Sequence, residues 1–497
     1  MSEDSYALLD AKLKRIHALN SISGLIGWDE LVNLPEGSAD QRQEQCATMA
    51  QVCHAASVDP EIDTLLSKLE AHASELDDSQ KIVIKEARKS YDRSAKLPAE
   101  FVSRKARLDS ESYHAWVDAK KNANFSSYAP FLQRQLEHSK EFAGYLGASD
   151  NPYDCFIDLH DPGMDTASIS KLFDELKTGL APIVSQIFDS KIQANTEIFK
   201  GFPIAEQSNF LKQITTALGF NYKRGRIDTS IHPFCGGNGA DTRMTTRFDE
   251  DNPLDSLFSA IHETGHGMYE QGLPLDQLHN ALGQAAGLGA HESQSRLWEN
   301  QVCRSRAFWK CYEPELRKQF PKQLDGVSSD ALYLAINSVS KNPIRVDSDE
   351  VTYNLHIVIR FEIEKRLFDG NLSIDELPET WNALYKELLN IDPKDDAQGV
   401  LQDVHWSDGS FGYFPSYCLG NMLAAQLWYA ALEELPDLER NFEKGDFSRL
   451  LSWLREKVHL HGMRYDLKAL ALEATGQELS PQSLIRYLKE RYLPLYS

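Results

Sequence analysis

Ile261-His262-Glu263-Thr264-Gly265-His266 is the stretch from which the rest of the chain is read. Its H-E-x-x-H spacing is framed by helix signals. Asn252-Pro253 marks a start, because proline is tolerated in the first helical turn. Leu254, Leu257, Phe258, Ile261, Met268 and Tyr269 recur at helical spacing, and Gly272 followed by Pro274 marks a stop. Residues four apart share one helix face, so His262 and His266 can aim two imidazoles at one divalent ion. Glu263, one position on, is placed to hold a water beside that ion and take its proton. Gly265 and Gly267 each cost an isolated helix about 1 kcal/mol. Glycine there predicts a close approach by another chain element or by a substrate.

A catalytic zinc site takes three protein ligands and keeps one position open. After the glycine-rich run Gly283 to Gly289, a second helix is expected from near His291. Its Glu292 is the best third ligand, with His291 and Glu299 as competitors. Glu292 and Glu299 would share a helix face, which suits Glu299 to support a ligand from behind. The seven cysteines are widely spread and form no C-x-x-C. That argues against a thiolate zinc site and for reduced thiols in a cytoplasmic protein.

Just upstream the pattern turns β-leaning. Arg226 to Phe234 and Thr242 to Phe248 are rich in Thr, Ile and aromatics, and Cys235-Gly236-Gly237-Asn238-Gly239-Ala240 reads as a flexible turn between them. A small sheet is expected beside the metal helix, where its edge could pair with an extended peptide.

The remainder reads as helices. The fold class is mainly α, a large helical domain with that one small sheet. Residues 1–225 form a helical cleft wall and 226–497 the catalytic region, as one continuous unit. In the first part, helices are expected over Tyr6 to Ser23 with Gly24 as a stop, then over Ala39 to Ser57, Glu61 to Leu76, Gln80 to Ser94, Pro98 to Asn122 and Ser127 to Leu146. Asn151 to Gly163 reads as a loop, followed by helices over Thr166 to Gln193 and Ile204 to Leu218. In the second part, Ser328 to Ser340, Val351 to Phe368, Glu376 to Leu389 and Leu419 to Leu432 are helical. Between the last two lies an aromatic, glycine-rich loop, Gln402 to Tyr417, of the kind that lines sites.

The 497 residues carry 52 Lys and Arg against 74 Asp and Glu, a formal charge of -22. Such a surface disfavours nucleic acid and anionic membranes as partners. No apolar run reaches the length of a membrane span, and the first residues lack the basic and apolar blocks of a signal peptide.

The chain resembles the carboxypeptidase Taq family of thermostable-type zinc metallocarboxypeptidases. The resemblance runs from Trp28-Asp29 to the C-terminal helices. It is carried by His232-Pro233-Phe234, Asp241-Thr242-Arg243-Met244-Thr245, His262-Glu263-Thr264-Gly265-His266, His291-Glu292-Ser293-Gln294-Ser295, and Gly399 through Gln402-Asp403-Val404-His405-Trp406. The family's I-R-x-x-A-D appears as Ile344-Arg345-Val346-Asp347-Ser348-Asp349, with Ser348 in place of the usual alanine. The resemblance implies a nearly all-helical, saddle-shaped subunit with a deep active-site cleft, a few short strands near the metal, and a homodimer. It also implies release of single C-terminal residues from peptides, with broad side-chain tolerance and reluctance at proline. Residue by residue it makes His262, His266 and Glu292 the zinc ligands, with cobalt as a possible substitute, and Glu263 the catalytic base.

Peptide hydrolysis of this kind needs a donor for the oxyanion besides the metal, and Tyr417, His232 and His405 are the candidates, in that order. A carboxypeptidase must also grip a terminal carboxylate. Arg345 is the first candidate and Arg243, close to Asp241, the second. Two other readings fit parts of the pattern: an oligopeptidase cutting internally, and a non-catalytic helical scaffold that binds peptides.

Overall fold

The expected motif helix forms over Pro253–Gly272, with Pro253 in its first turn. It is seen in a computed structural model that describes residues 2–148 and 151–497. Among the described residues the chain is mainly α with one three-stranded sheet. By internal packing it groups into two units. The first holds Met1–Ala95, Asn195–Ile336 and Leu427–Gln477; the second holds Lys96–Ala194, Asn337–Gln426 and Glu478–Ser497. The grouping interleaves distant segments, where the sequence suggested consecutive stretches of 1–225 and 226–497. Among the described residues, no helix is long and apolar enough to cross a membrane.

In the first unit, helix Ser2–Val32 runs straight through Gly24. A glycine ends a helix when it takes the left-handed conformation at the cap. Gly24 stays helical and faces open space, so it weakens the helix without stopping it. Leu9 of this helix packs with Ile62, Leu65, Leu66, Leu69, Leu76 and Ile84 in a core of its own.

The sheet has the order β1-β3-β2, with β1 at Gly225–Thr229, β2 at Cys235–Asn238 and β3 at Asp241–Thr246. Strands β1 and β3 are parallel, and β2 joins β3 antiparallel through a turn at Gly239-Ala240. The stretch read as a flexible turn is therefore mostly strand. Its glycines tolerate a tight hairpin: Gly237 has φ +99°, and a Cβ there would lie 2.0 Å from the Asp241 carbonyl oxygen. Strand β2 forms one edge of the sheet.

The motif helix is buried on most sides, not only along one stripe. Leu257, Phe258, Ile261, Met268 and Tyr269 are all in the core, each contributing roughly 1.5–3 kcal/mol. Polar groups on its remaining faces are satisfied. Thr246 donates to the Ser256 carbonyl at 3.0 Å, and Ser256 donates to Gln207 at 2.7 Å. Gly267 lies against Phe220 and Thr242. Gly265 lies against the backbone of Ser295 and Gln294, in the helix Leu288–Arg296. The close approach expected at these glycines is thus met by chain elements.

In the second unit, helix Glu350–Asp369 is enclosed almost all round. Two segments read as loops turn out partly helical. Pro152–His160 is a helix, started by Asn151, whose side chain accepts from the Tyr153 amide at 3.1 Å. Its Tyr153, Phe156 and Ile157 are buried. In Gln402 to Tyr417, His405–Asp408 forms a 3-10 turn and a helix begins at Phe414. Glu364 pins this segment. Its carboxylate accepts from Trp406 Nε1 at 2.6 Å, the Gly412 amide at 2.8 Å and the Tyr153 hydroxyl at 2.7 Å.

Two stability effects are expected. Gly265→Ala places a Cβ 2.5 Å from Ser295 Cα and 2.6 Å from the Gln294 carbonyl oxygen. It should lower the thermal midpoint by the equivalent of about 1–3 kcal/mol, although alanine favours a helix. Glu364→Gln turns an amide N–H toward a group that can only donate. It should cost about 1–3 kcal/mol, read in the same melting experiment.

Candidate metal centre

Two elements of the first unit build the centre. The motif helix presents His262 and His266 one turn apart, and the helix Leu288–Arg296 presents Glu292. His262 Nε2 lies 3.5 Å and His266 Nε2 3.4 Å from Glu292 Oε2. One ligand atom from each of the three residues falls within 4.8 Å of the others. The contact at Gly265 is what lets the two helices come this near. Glu263 is buried beside the group.

The outward atoms are held as well. His262 Nδ1 lies 2.9 Å from Glu299 Oε2, as the shared helix face suggested. Glu299 sits in a π turn, Leu297–Val302, directly after the Glu292 helix. Such turns re-aim side chains and are frequent at functional sites. Arg296 donates to Glu292 Oε1 at 2.6 Å and to Glu299 Oε2 at 3.1 Å, and Arg304 reaches Glu299 Oε1 at 3.4 Å. Arg296 escaped the sequence reading. Its i, i+4 spacing from Glu292 and i, i+3 spacing to Glu299 were the available signal. His291, a competitor for third ligand, instead faces the back of His266, with the two Nδ1 atoms 2.6 Å apart.

Burial dominates the electrostatics. It lowers His266 to about 3, so that imidazole is neutral and able to ligate. Burial works in the same direction on His262, but Glu292 and Glu299 outweigh it and raise that pKa. Burial raises Glu263 to about 7, with Glu292 and Glu299 adding to the effect. Burial also opposes ionisation of Glu292 and Glu299. Arg296 and the histidines overcome it, holding Glu292 well below its usual range and Glu299 at about 2. Desolvation, with Glu263 and Glu270 nearby, pushes the Cys235 thiol well up, which keeps it protonated and unsuited as a ligand. Two imidazole nitrogens and one carboxylate oxygen converging in a carboxylate-rich pocket are a donor set that suits a divalent ion.

The other expected residues sit on other elements. His232 is exposed on the link between β1 and β2 in the first unit. Arg243 forms the pair foreseen with Asp241, two contacts of 2.9 Å, and its guanidinium lies 4.6 Å from the Trp28 ring centre. Arg345, Tyr417 and His405 belong to the second unit. Arg345 is buried. It donates to Asp403 Oδ1 from Nε at 2.9 Å and to the Tyr353 hydroxyl at 3.0 Å, with the Tyr417 ring centre 5.2 Å away. Arg360 takes the other oxygen of Asp403, at 2.6 Å from Nη2. Asp403 is therefore a shared clamp for two arginines. Tyr417 lies in the helix Phe414–Glu434 and not in a loop. His405 packs against Tyr413 and Phe414, and burial lowers its pKa to about 4.

Glu299→Gln is expected to weaken metal retention roughly tenfold, the usual scale for loss of a supporting carboxylate, and to lower the melting temperature. The amide nitrogen cannot accept from Arg296 or Arg304. A competitive chelator titration and a thermal melt check both.

A family model described as Carboxypeptidase Taq (M32) metallopeptidase matches residues 8–492. Carboxypeptidase 1 of Bacillus subtilis is 37% identical over 486 residues, 97% of each chain. Thermostable carboxypeptidase 1 of Thermus thermophilus is 38% identical over 491 residues, 96% of each. The crystal structure of an M32 carboxypeptidase from Deinococcus radiodurans R1 superposes with a TM-score of 0.96 at 37% identity, covering 99% of both chains. With a fold and a histidine–histidine–glutamate cluster of the kind such an enzyme requires, this chain belongs to the carboxypeptidase Taq (M32) family of metallocarboxypeptidases.

Proposed function

We propose that the protein removes single residues from peptide C-termini with zinc as its resident metal and with Glu263 as the base. The observation that carries this is the convergence of His262, His266 and Glu292 beside a buried Glu263. When bound there, zinc would activate water and polarise the scissile carbonyl. Cobalt would serve as a substitute.

Glu263 is suited to move the proton. Burial brings its carboxyl to about 7, where it can both accept and release a proton near neutral pH. It takes a proton from water and hands it to the leaving amine. Tyr417 leads the donors to the oxyanion, ahead of His232 and His405. The terminal carboxylate falls to Arg345, whose guanidinium stays charged at any working pH and lies among the rings of Tyr353, Phe414 and Tyr417. Broad side-chain tolerance, reluctance at proline and a homodimer follow from the family resemblance. The seven free cysteines suit the reducing cytoplasm.

The test is digestion of a defined peptide followed by mass spectrometry. Loss of one C-terminal residue at a time is expected, abolished by a chelator and restored by Zn2+. Glu263→Gln should retain metal and lose roughly 10²-fold or more in kcat. Arg345→Ala should erase the preference for a free acid over a C-terminal amide. Internal fragments appearing first would overturn the exopeptidase reading in favour of an oligopeptidase.

A further inference from the structure

The two metal-facing histidines are backed differently. His262 meets a carboxylate directly, whereas His266 meets another imidazole. Behind His266, the nitrogens His266 Nδ1 and His291 Nδ1 are 2.6 Å apart. On the far side of His291, its Nε2 lies 2.9 Å from Glu270 Oε1. Tyr269 flanks the His291 ring at 5.1 Å. Glu270 also lines a cavity of about 1120 Å³ with Trp28, Asp241 and Arg243, so its carboxylate is partly open to solvent.

Hydrogen count allows this chain to run in one direction only. Two facing nitrogens share one hydrogen. His266 must keep Nε2 bare to ligate a metal, so its own hydrogen sits on Nδ1 and His291 Nδ1 accepts it. The hydrogen of His291 is then on Nε2, where a Glu270 carboxyl oxygen receives it. Without an acceptor at residue 270, His291 is free to carry its hydrogen on Nδ1. His266 Nδ1 then becomes the acceptor, and the hydrogen of His266 moves to Nε2, the atom a metal needs.

We propose that His291 and Glu270 form a positioning relay that fixes the ring tautomer of His266 and thereby sets how tightly the centre holds its metal. The relay rests on the reading of His266 as a metal ligand. Its two members are positioning residues, since neither faces the ligand cluster. Glu270 borders open space, so truncating it leaves no buried void.

The experiment compares wild type, His266→Ala, Glu270→Ala and Glu270→Gln, each stripped of metal and titrated with Zn2+ against a chromophoric chelator. His266→Ala should abolish tight binding. Glu270→Ala should weaken binding roughly 10- to 100-fold with the metal-free melting temperature unchanged. Glu270→Gln should recover to within a few-fold of wild type, because a carboxamide oxygen still accepts from Nε2–H. Wild-type affinity in Glu270→Ala, beside lost binding in His266→Ala, overturns the relay and leaves the ligand assignment standing. Undiminished binding in His266→Ala overturns that assignment instead. A Glu270→Gln protein as weak as Glu270→Ala overturns the tautomer account in favour of charge alone. Should Glu270→Ala melt early, ¹⁵N-histidine spectra of metal-free wild type decide. The hydrogen of His266 on Nδ1 supports the relay, and on Nε2 it refutes it.

Discussion

Three carboxylates, those of Glu263, Glu292 and Glu299, are buried around two imidazoles, and the rest of the centre answers to that concentration of negative charge. Taking a single carboxylate out of water costs several kcal/mol unless something compensates it. Arg296 spans Glu292 and Glu299, and Arg304 closes on Glu299 from the other side. Two guanidinium charges do not balance three carboxylates. Glu292 and Glu299 raise the pKa of His262 against the pull of burial, and they add to the burial that raises Glu263, so the cluster favours positive charge at its centre. A divalent ion meets that demand more fully than a proton, and it does so where the two Nε2 atoms and Glu292 Oε2 already face one another.

Holding such a charge cluster requires backbones at short range, and the chain uses local devices to reach it. Gly265 removes the Cβ that would hold the two ligand helices apart. The π turn at Leu297–Val302 carries Glu299 back under His262. The sheet supports the motif helix through Thr246, which donates to the Ser256 carbonyl, and through Met244, whose sulfur accepts from the Thr264 hydroxyl at 3.6 Å. In the second unit a comparable problem is solved with the opposite sign. Asp403 is held between Arg345 and Arg360 and is kept ionised despite its burial.

The parts of this architecture that were legible in the sequence are those set by local spacing. Asn252-Pro253 and Gly272-Leu273-Pro274 frame the motif helix as it is observed, and the helix over Ile204–Leu218 falls where its apolar period put it. Glu292 stood out because two histidines needed a third donor and the next helix offered a carboxylate, which the fold brings within reach of both. What escaped depends on contacts that no local pattern encodes. Asp403 reaches Arg345 from a distant segment, so only the fold pairs them. Cys235–Asn238 looked like a turn because glycine favours turns, yet pairing with Asp241–Thr246 makes it a strand. His291 looked like a ligand because it neighbours Glu292. One residue along a helix turns a side chain about a quarter of the way round, and it faces the back of His266 instead.

The central claim is that His262, His266 and Glu292 close on one ion. X-ray absorption at the zinc edge of the reconstituted protein tests it most directly. The account predicts two imidazole nitrogens and carboxylate or water oxygens at about 2.0–2.2 Å, with no sulfur. A sulfur scatterer at about 2.3 Å, or fewer than two imidazoles, would contradict it.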